Sequence, residues 1–364
     1  MLTELNGLFG GFNETKEIKG NLIVTVANER REDYRCIRED VGIFPMSFTS
    51  YYKISGDEGE EVLDYLTTKS VEYLNYGQNR LCYLLKESGE VAAFVTLYKE
   101  DESFMLETFN WNSQEVEKIL GNSNLSFEKL DFTCILLEGL KTVEFMTDAM
   151  DLVVDYFVYQ SHHELDCFGQ EIMVARTGYT GEFGYKLIGE TSSIMKIWKN
   201  LLPEHKDKVV GYDAFEMCQY EIKQPFWELP YLSISSNPFE VDYHWLVDFK
   251  KDTDYAGKEV LLGTKFAEVS KKIVGALSQG ESLIGDEVIL EGEVVGKVID
   301  CRLSYGLDQY ITMLFVDKEV AHSNIHLETA KGEKLLTLSA PYIFPKSWTA
   351  GRLDLEIEME MEDE

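Results

Sequence analysis

The stretch LCYLLKESGEVAAFVTLYKEDESFMLETF, residues 81–109, constrains the fold most, because three apolar runs are broken at Glu87–Gly89 and again at Glu100–Ser103. Aromatic and β-branched runs separated by short polar turns pair as antiparallel neighbours, so the segment predicts a meander joined by hairpins. Such a sheet needs cover on at least one face. The flanks supply it: DEGEEVLDYLTT after Gly56 puts Val62, Leu63 and Leu66 on one helical face behind an acidic first turn, and Trp111 to Leu120 returns to helical spacing.

Upstream, ERREDYRCIREDVG repeats Tyr34, Ile37 and Val41 at helical spacing and closes at Gly42. Ile43 to Ile54 then reads as extended chain, with Pro45 marking an edge or a break. Strand, strand and helix recur between Asp131 and Leu202, which makes the first two-thirds α+β with antiparallel pairing. Beyond Leu262 the texture changes to short strands, IVGALS, EVILEGEVVGKVIDCRLS, QYITMLFV and KLLTLSA, and predicts a small all-β unit.

With 364 residues the chain is long enough for two or three units. Its 65 acidic against 34 basic residues give a net charge of −31, which repels nucleic-acid backbones and anionic membranes. Neither a basic leader with an apolar segment nor a membrane-length apolar stretch is seen, so a cytoplasmic location is expected. Six singly spaced cysteines read as buried thiols in a reducing compartment. The final LDLEIEMEMEDE alternates like a strand but reads equally as an acidic tail.

The sharpest local motif is ARTGYTGEFGY, Ala175–Tyr185, whose Gly178, Gly181 and Gly184 permit tight turns around an aromatic ring and a carboxylate. Alone it would suit a hairpin. It is similar to the RTGYTGEDG motif of the aminomethyltransferase (glycine-cleavage T-protein) family, with Phe183 at an acidic position. Three further segments resemble that family in order: DYRCIREDVGIFPMSF, GQNRLCYLLKESGEVAAFVTLY and NPFEVDYHWLVDFKKDTDYAGKEVLL.

The resemblance implies a three-domain cloverleaf around a folate funnel. Residues 1–50 with 141–262 would form the folate-binding α+β domain, 51–140 an inserted ferredoxin-like domain, and 263–364 a C-terminal β-barrel with an acidic end. Tetrahydrofolate would sit at the centre with its pterin on Glu182, since a carboxylate can accept two parallel N–H bonds from the amino-pyrimidine edge.

Departures from the family cluster at that funnel. The family's catalytic aspartate aligns with Ala93 and its neighbour with Phe94, neither of which titrates. Met46-Ser47-Phe48-Thr49 replaces the family's valine-serine-histidine-methionine, and Phe215 stands where the family uses an arginine on the glutamyl tail. Thr49, Ala93, Phe94, Phe215 and Trp227 are therefore expected to line a more aromatic folate pocket. Tyr179 is the expected catalytic group, a phenol able to give a proton to a leaving heteroatom.

The implied reaction is folate-dependent transfer of a methyl or aminomethyl unit from a small methylated donor or a lipoyl-type carrier protein. The alternative is a folate-binding, non-catalytic protein of the same fold. His162-His163-Glu164 resembles a metal cluster, but adjacent histidines on a strand face opposite ways, so no metal is expected.

Overall fold

The computed structural model describes residues 12–56, 58–123, 125–224, 237–266 and 269–350. Trp227 and the acidic segment from Leu353 onward lie outside the described residues.

Strands β1 (Glu14–Ile18) and β2 (Asn21–Val26) form a hairpin that leads into α1 (Arg30–Glu39), then β3 (Gly42–Met46) and β4 (Thr49–Ser55). Helix α2 (Gly59–Leu66) precedes the predicted meander, which appears as β5 (Asn79–Leu85), β6 (Val91–Lys99) and β7 (Ser103–Phe109). Helix α3 (Ser113–Asn122) and β8 (Ser126–Leu130) complete the second unit, whose sheet runs β5-β6-β7-β4-β8.

The chain then returns to the first sheet through β9 (Phe132–Glu138), α4 (Thr142–Met150), β10 (His162–Cys167), β11 (Gln170–Arg176), β12 (Gly184–Glu190) and α5 (Thr191–His205). This sheet is ordered β10-β11-β12-β9-β3, which places Pro45 on an edge strand as its missing N–H requires. Strand β8 ends at Leu130 in the second sheet and β9 begins at Phe132 in the first, where it pairs with β3 and β12. Helix α6 (Tyr212–Ile222) packs on α1, and α7 (Lys258–Phe266) leads to the last unit.

That unit is a closed antiparallel barrel of β13 (Lys271–Ser278), β14 (Glu287–Leu290), β15 (Glu293–Ser304), β16 (Gln309–Asp317), β17 (His326–Thr329) and β18 (Lys334–Leu338). Closure through β13 and β18 leaves no free strand edge, which suits a unit this small. No helix among the described residues is long and apolar enough to cross a membrane.

The first unit and the barrel meet around Arg38. Its α1 stripe faces inward with Tyr34 and Ile37, and the guanidinium donates to Glu182 Oε1 at 3.1 Å, Glu221 Oε2 at 2.9 Å, and the carbonyls of Thr180 (2.8 Å) and Cys218 (3.1 Å). Glu221, on α6, also accepts from Tyr34, from Ser304 Oγ at 2.6 Å and from the Gly306 N–H at 3.2 Å, both of the latter in the barrel. Glu182 accepts from the Ser347 hydroxyl (2.6 Å) and N–H (3.0 Å) in the segment after the barrel. Arg38→Ala would leave two buried carboxylates without their cation, so a loss of about 3–5 kcal/mol in unfolding free energy is expected in urea denaturation. A change under about 1 kcal/mol, the level of a surface ion pair, would deny it this role.

Candidate functional site

The glycine-rich motif forms the turn between β11 and β12, and Glu138 at the end of β9 holds it. The buried Glu138 carboxylate accepts from the N–H groups of Tyr179 (2.6 Å) and Thr180 (2.9 Å) and from the Thr180 hydroxyl. A Cβ at Gly184 would stand 2.7 Å from the Gly178 Cα, and one at Gly178 would stand 2.8 Å from Glu138 Oε1. Close packing thus requires these two glycines. Burial pushes the Glu138 carboxyl up to about 7 against the opposing pull of its three donors and of Lys186.

Beneath the turn, β12 of the first sheet meets β6 and β7 of the second. Lys186 Nζ lies 2.7 and 2.8 Å from the Glu107 oxygens and donates to the Tyr179 hydroxyl at 2.6 Å, while Tyr98 donates to Glu107 at 2.5 Å. All four side chains are buried. Burial works against the Lys186 charge, yet Glu107 holds the ammonium well above its ordinary range. Burial raises the Tyr179 phenol, and Lys186 only partly offsets this.

The cavity left among Leu81, Phe94, Thr96, Glu107, Phe109 and Tyr179 measures only about 10 Å³. Aromatic rings pack beside it. Phe44 stacks on Phe215 at 4.7 Å, Phe48 on Trp111 at 5.6 Å, and Phe109 on Trp111 at 5.2 Å. Ligand-sized space adjoins the small cavity, in two lobes that share Tyr159, Gly178, Tyr179 and Gln224, the inner of which also shares Leu81, Thr96 and Tyr179 with that cavity. The outer lobe, about 410 Å³, is walled by Arg176, Phe183, Ile222 and Trp348; the inner, about 340 Å³, by Lys69, Arg80, Thr96, Trp245 and Asp248.

The family model described as the GCVT N-terminal domain matches residues 12–251. The chain belongs to the aminomethyltransferase family. Relatives named aminomethyltransferase include one from Thermotoga sp. (strain RQ2), 28% identical over 305 residues that span 79% of this chain and 82% of the relative. Another, from Bacillus subtilis (strain 168), is 24% identical over 84% of this chain and 88% of its own length. In fold, the solved aminomethyltransferase T of the glycine cleavage system from Bartonella henselae superposes with a TM-score of 0.81, covering 94% of this chain and 97% of that one at 20% identity.

Within this aminomethyltransferase frame the residues expected at one pocket are dispersed. Ala93 packs with Tyr52, Leu84 and Val95 in the core of the second unit, while Phe94 turns toward the centre, because successive side chains on β6 alternate faces. An aspartate at position 93 would therefore point away from Tyr179. Phe215 is fully buried on Phe44, and Thr49 bonds to the Met46 carbonyl at the seam between the sheets. Glu182 borders the outer lobe with its carboxylate already engaged by Arg38, Lys346 and Ser347. Tyr179 does reach the groove, but its hydroxyl is held by Lys186.

Among the described residues no group of three or more metal-binding side chains occurs. His162 is buried edge-on to Tyr98 and His163 stands against Phe157. Sequence reasoning missed Lys186, Glu107 and Glu138. The available signal was a lone charge inside an apolar strand, as in YKLIG and MLETF.

Two outcomes follow from this chemistry. Lys186→Met should cost about 3–5 kcal/mol by leaving Glu107 buried and unpaired, whereas Lys186→Met with Glu107→Leu should recover much of that loss in urea denaturation. No recovery in the double variant would show that the pair does more than balance charge.

For Glu138 the folded pKa lies above the unfolded one, so its contribution is full below about 4.5 and is lost as pH rises through about 7. The wild-type unfolding free energy minus that of Glu138→Gln should thus fall by on the order of 2–3 kcal/mol between about pH 4.5 and 8. A difference that stays flat over that range would contradict the raised value.

Proposed function

We propose that this chain binds a reduced folate in the groove beside Gly178 and Tyr179, as a folate-binding member of the aminomethyltransferase family that does not use the family's carboxylate chemistry. One observation supports this most: the carboxylates and phenols at the centre, Glu107, Glu138, Glu182, Tyr98 and Tyr179, are all bonded within the protein, while ligand-sized space lies alongside.

The fit to tetrahydrofolate divides accordingly. The central cavity is far below the roughly 300–1,000 Å³ of small-molecule sites, but each groove lobe lies within that range. The outer lobe would hold the flat ring. Tyr159, Phe183 and Trp348 line it with aromatic rings, and the Gln224 amide offers both a donor and an acceptor. When bound, the folate itself carries one-carbon units on its ring nitrogens, and the protein's share is to position it and shield it from water.

A second reading is favoured by the enzyme family to which the relatives belong: transfer of a methyl or aminomethyl unit to the folate from a small methylated donor or a lipoyl-type carrier. Titration calorimetry with tetrahydrofolate and a glycine-cleavage assay separate the two. Binding with a dissociation constant of about 1–100 μM, without folate turnover above the protein-free control, is expected. Turnover near that of the Bacillus subtilis aminomethyltransferase would establish the second reading, and no binding would remove both.

A further inference from the structure

We infer that the inner lobe of the groove is an anion subsite in which Lys69 and Arg80 receive the carboxylate end of the bound ligand. The inference deepens the folate reading and rests on it for the ligand's identity, but not for the chemistry of the lobe.

The observation is a pair of cations that form no close ion pair, with Asp248 the single carboxylate lining their lobe, in a strongly acidic protein. Against 65 carboxylate residues, neither Lys69 nor Arg80 has a carboxylate within hydrogen-bond or ion-pair distance among the described residues. Each is anchored through one backbone carbonyl, Lys69 Nζ to Trp245 at 2.5 Å and Arg80 Nη1 to Ser70 at 2.5 Å. Their remaining N–H donors are left for a ligand. Both side chains are half-buried and line the same lobe of about 340 Å³.

Placing two cations together in a half-buried recess is unfavourable unless an anion joins them. Burial lowers the Lys69 pKa, and Asp248, the carboxylate that lines this lobe, only partly restores it. Asp248 spends one oxygen on the Lys250 N–H.

The arrangement also has a direction. Tyr179 and Gly178 border both lobes, so a ligand with an aromatic ring against Phe183 and Trp348 would run past Tyr179 toward Lys69 and Arg80. A guanidinium fork pairs with a carboxylate through two parallel bonds, and an ammonium takes a second oxyanion as a point charge. Phe215, expected at the folate tail, is sealed into the core, which leaves these two residues as the cations of the groove's inner end.

The test compares ligands with and without carboxylates on the full chain, in wild type and in Lys69→Gln with Arg80→Gln. Tetrahydrofolate should bind wild type at least about tenfold more tightly than tetrahydropterin, and the gap should shrink to about twofold in the double variant. Glutarate alone should raise the melting temperature of wild type and not of the variant. In wild type, added sodium chloride should weaken tetrahydrofolate more than tetrahydropterin, a readout that survives even if the variant does not fold.

Equal affinities for the two pterins, or a gap that persists in the variant, would overturn the inference. Inorganic phosphate protecting wild type as strongly as glutarate would overturn the carboxylate assignment. If neither pterin binds but glutarate still protects wild type alone, the anion subsite stands and the folate reading falls; if nothing protects, both fall.

Discussion

A single guanidinium, held between two buried carboxylates, ties the first unit of this protein to its barrel. Arg38 belongs to α1, Glu182 to the turn before β12, and Glu221 to α6; Glu221 is also bonded to the barrel and Glu182 to the segment that follows it. A buried charge tolerates almost no displacement, because every lost bond exposes an uncompensated ion to a low dielectric. The barrel is therefore docked on the first unit by an electrostatic constraint, as the second unit is by Lys186 and Glu107, with apolar packing filling the space around both.

The same economy shapes the centre. Where a binding site would keep donors and acceptors open, Lys186, Glu107, Tyr98 and Tyr179 satisfy one another between the two sheets. The rings of Phe44, Phe48, Phe109, Trp111 and Phe215 pack against one another beside them. Space for a small molecule lies alongside, in the lobes lined by Tyr159, Tyr179 and Gln224.

Much of the frame was legible in the sequence. The meander from Leu81 to Phe109, the α1 stripe of Tyr34 and Ile37, and the short barrel strands all follow local periodicity, which folding preserves. Strands β17 and β1 escaped because short polar strands carry little pattern, whereas β2, NLIVTV, carried the β-branched apolar signal of a buried strand and was passed over. The site was less legible for a different reason. Ala93 and Phe94 are neighbours in sequence, yet the pleat sends them to different cores, so one residue of register decides whether a position faces the centre. Glu182 looked available because no local pattern announces that Arg38 and Ser347, each more than a hundred residues away, close on it.

The attachment of Ser347 to Glu182 also bears on how the groove comes into being. Trp348, a wall of the outer lobe, lies beyond the last barrel strand, whereas Tyr159, Gly178 and Tyr179 precede the barrel entirely. During synthesis the first two sheets emerge and can pair well before that wall exists, because domains fold largely as they leave the ribosome. The recess is therefore assembled from the two ends of the production line. A chain cut short within the barrel would retain the motif that marks the family and lack the surface that finishes its pocket.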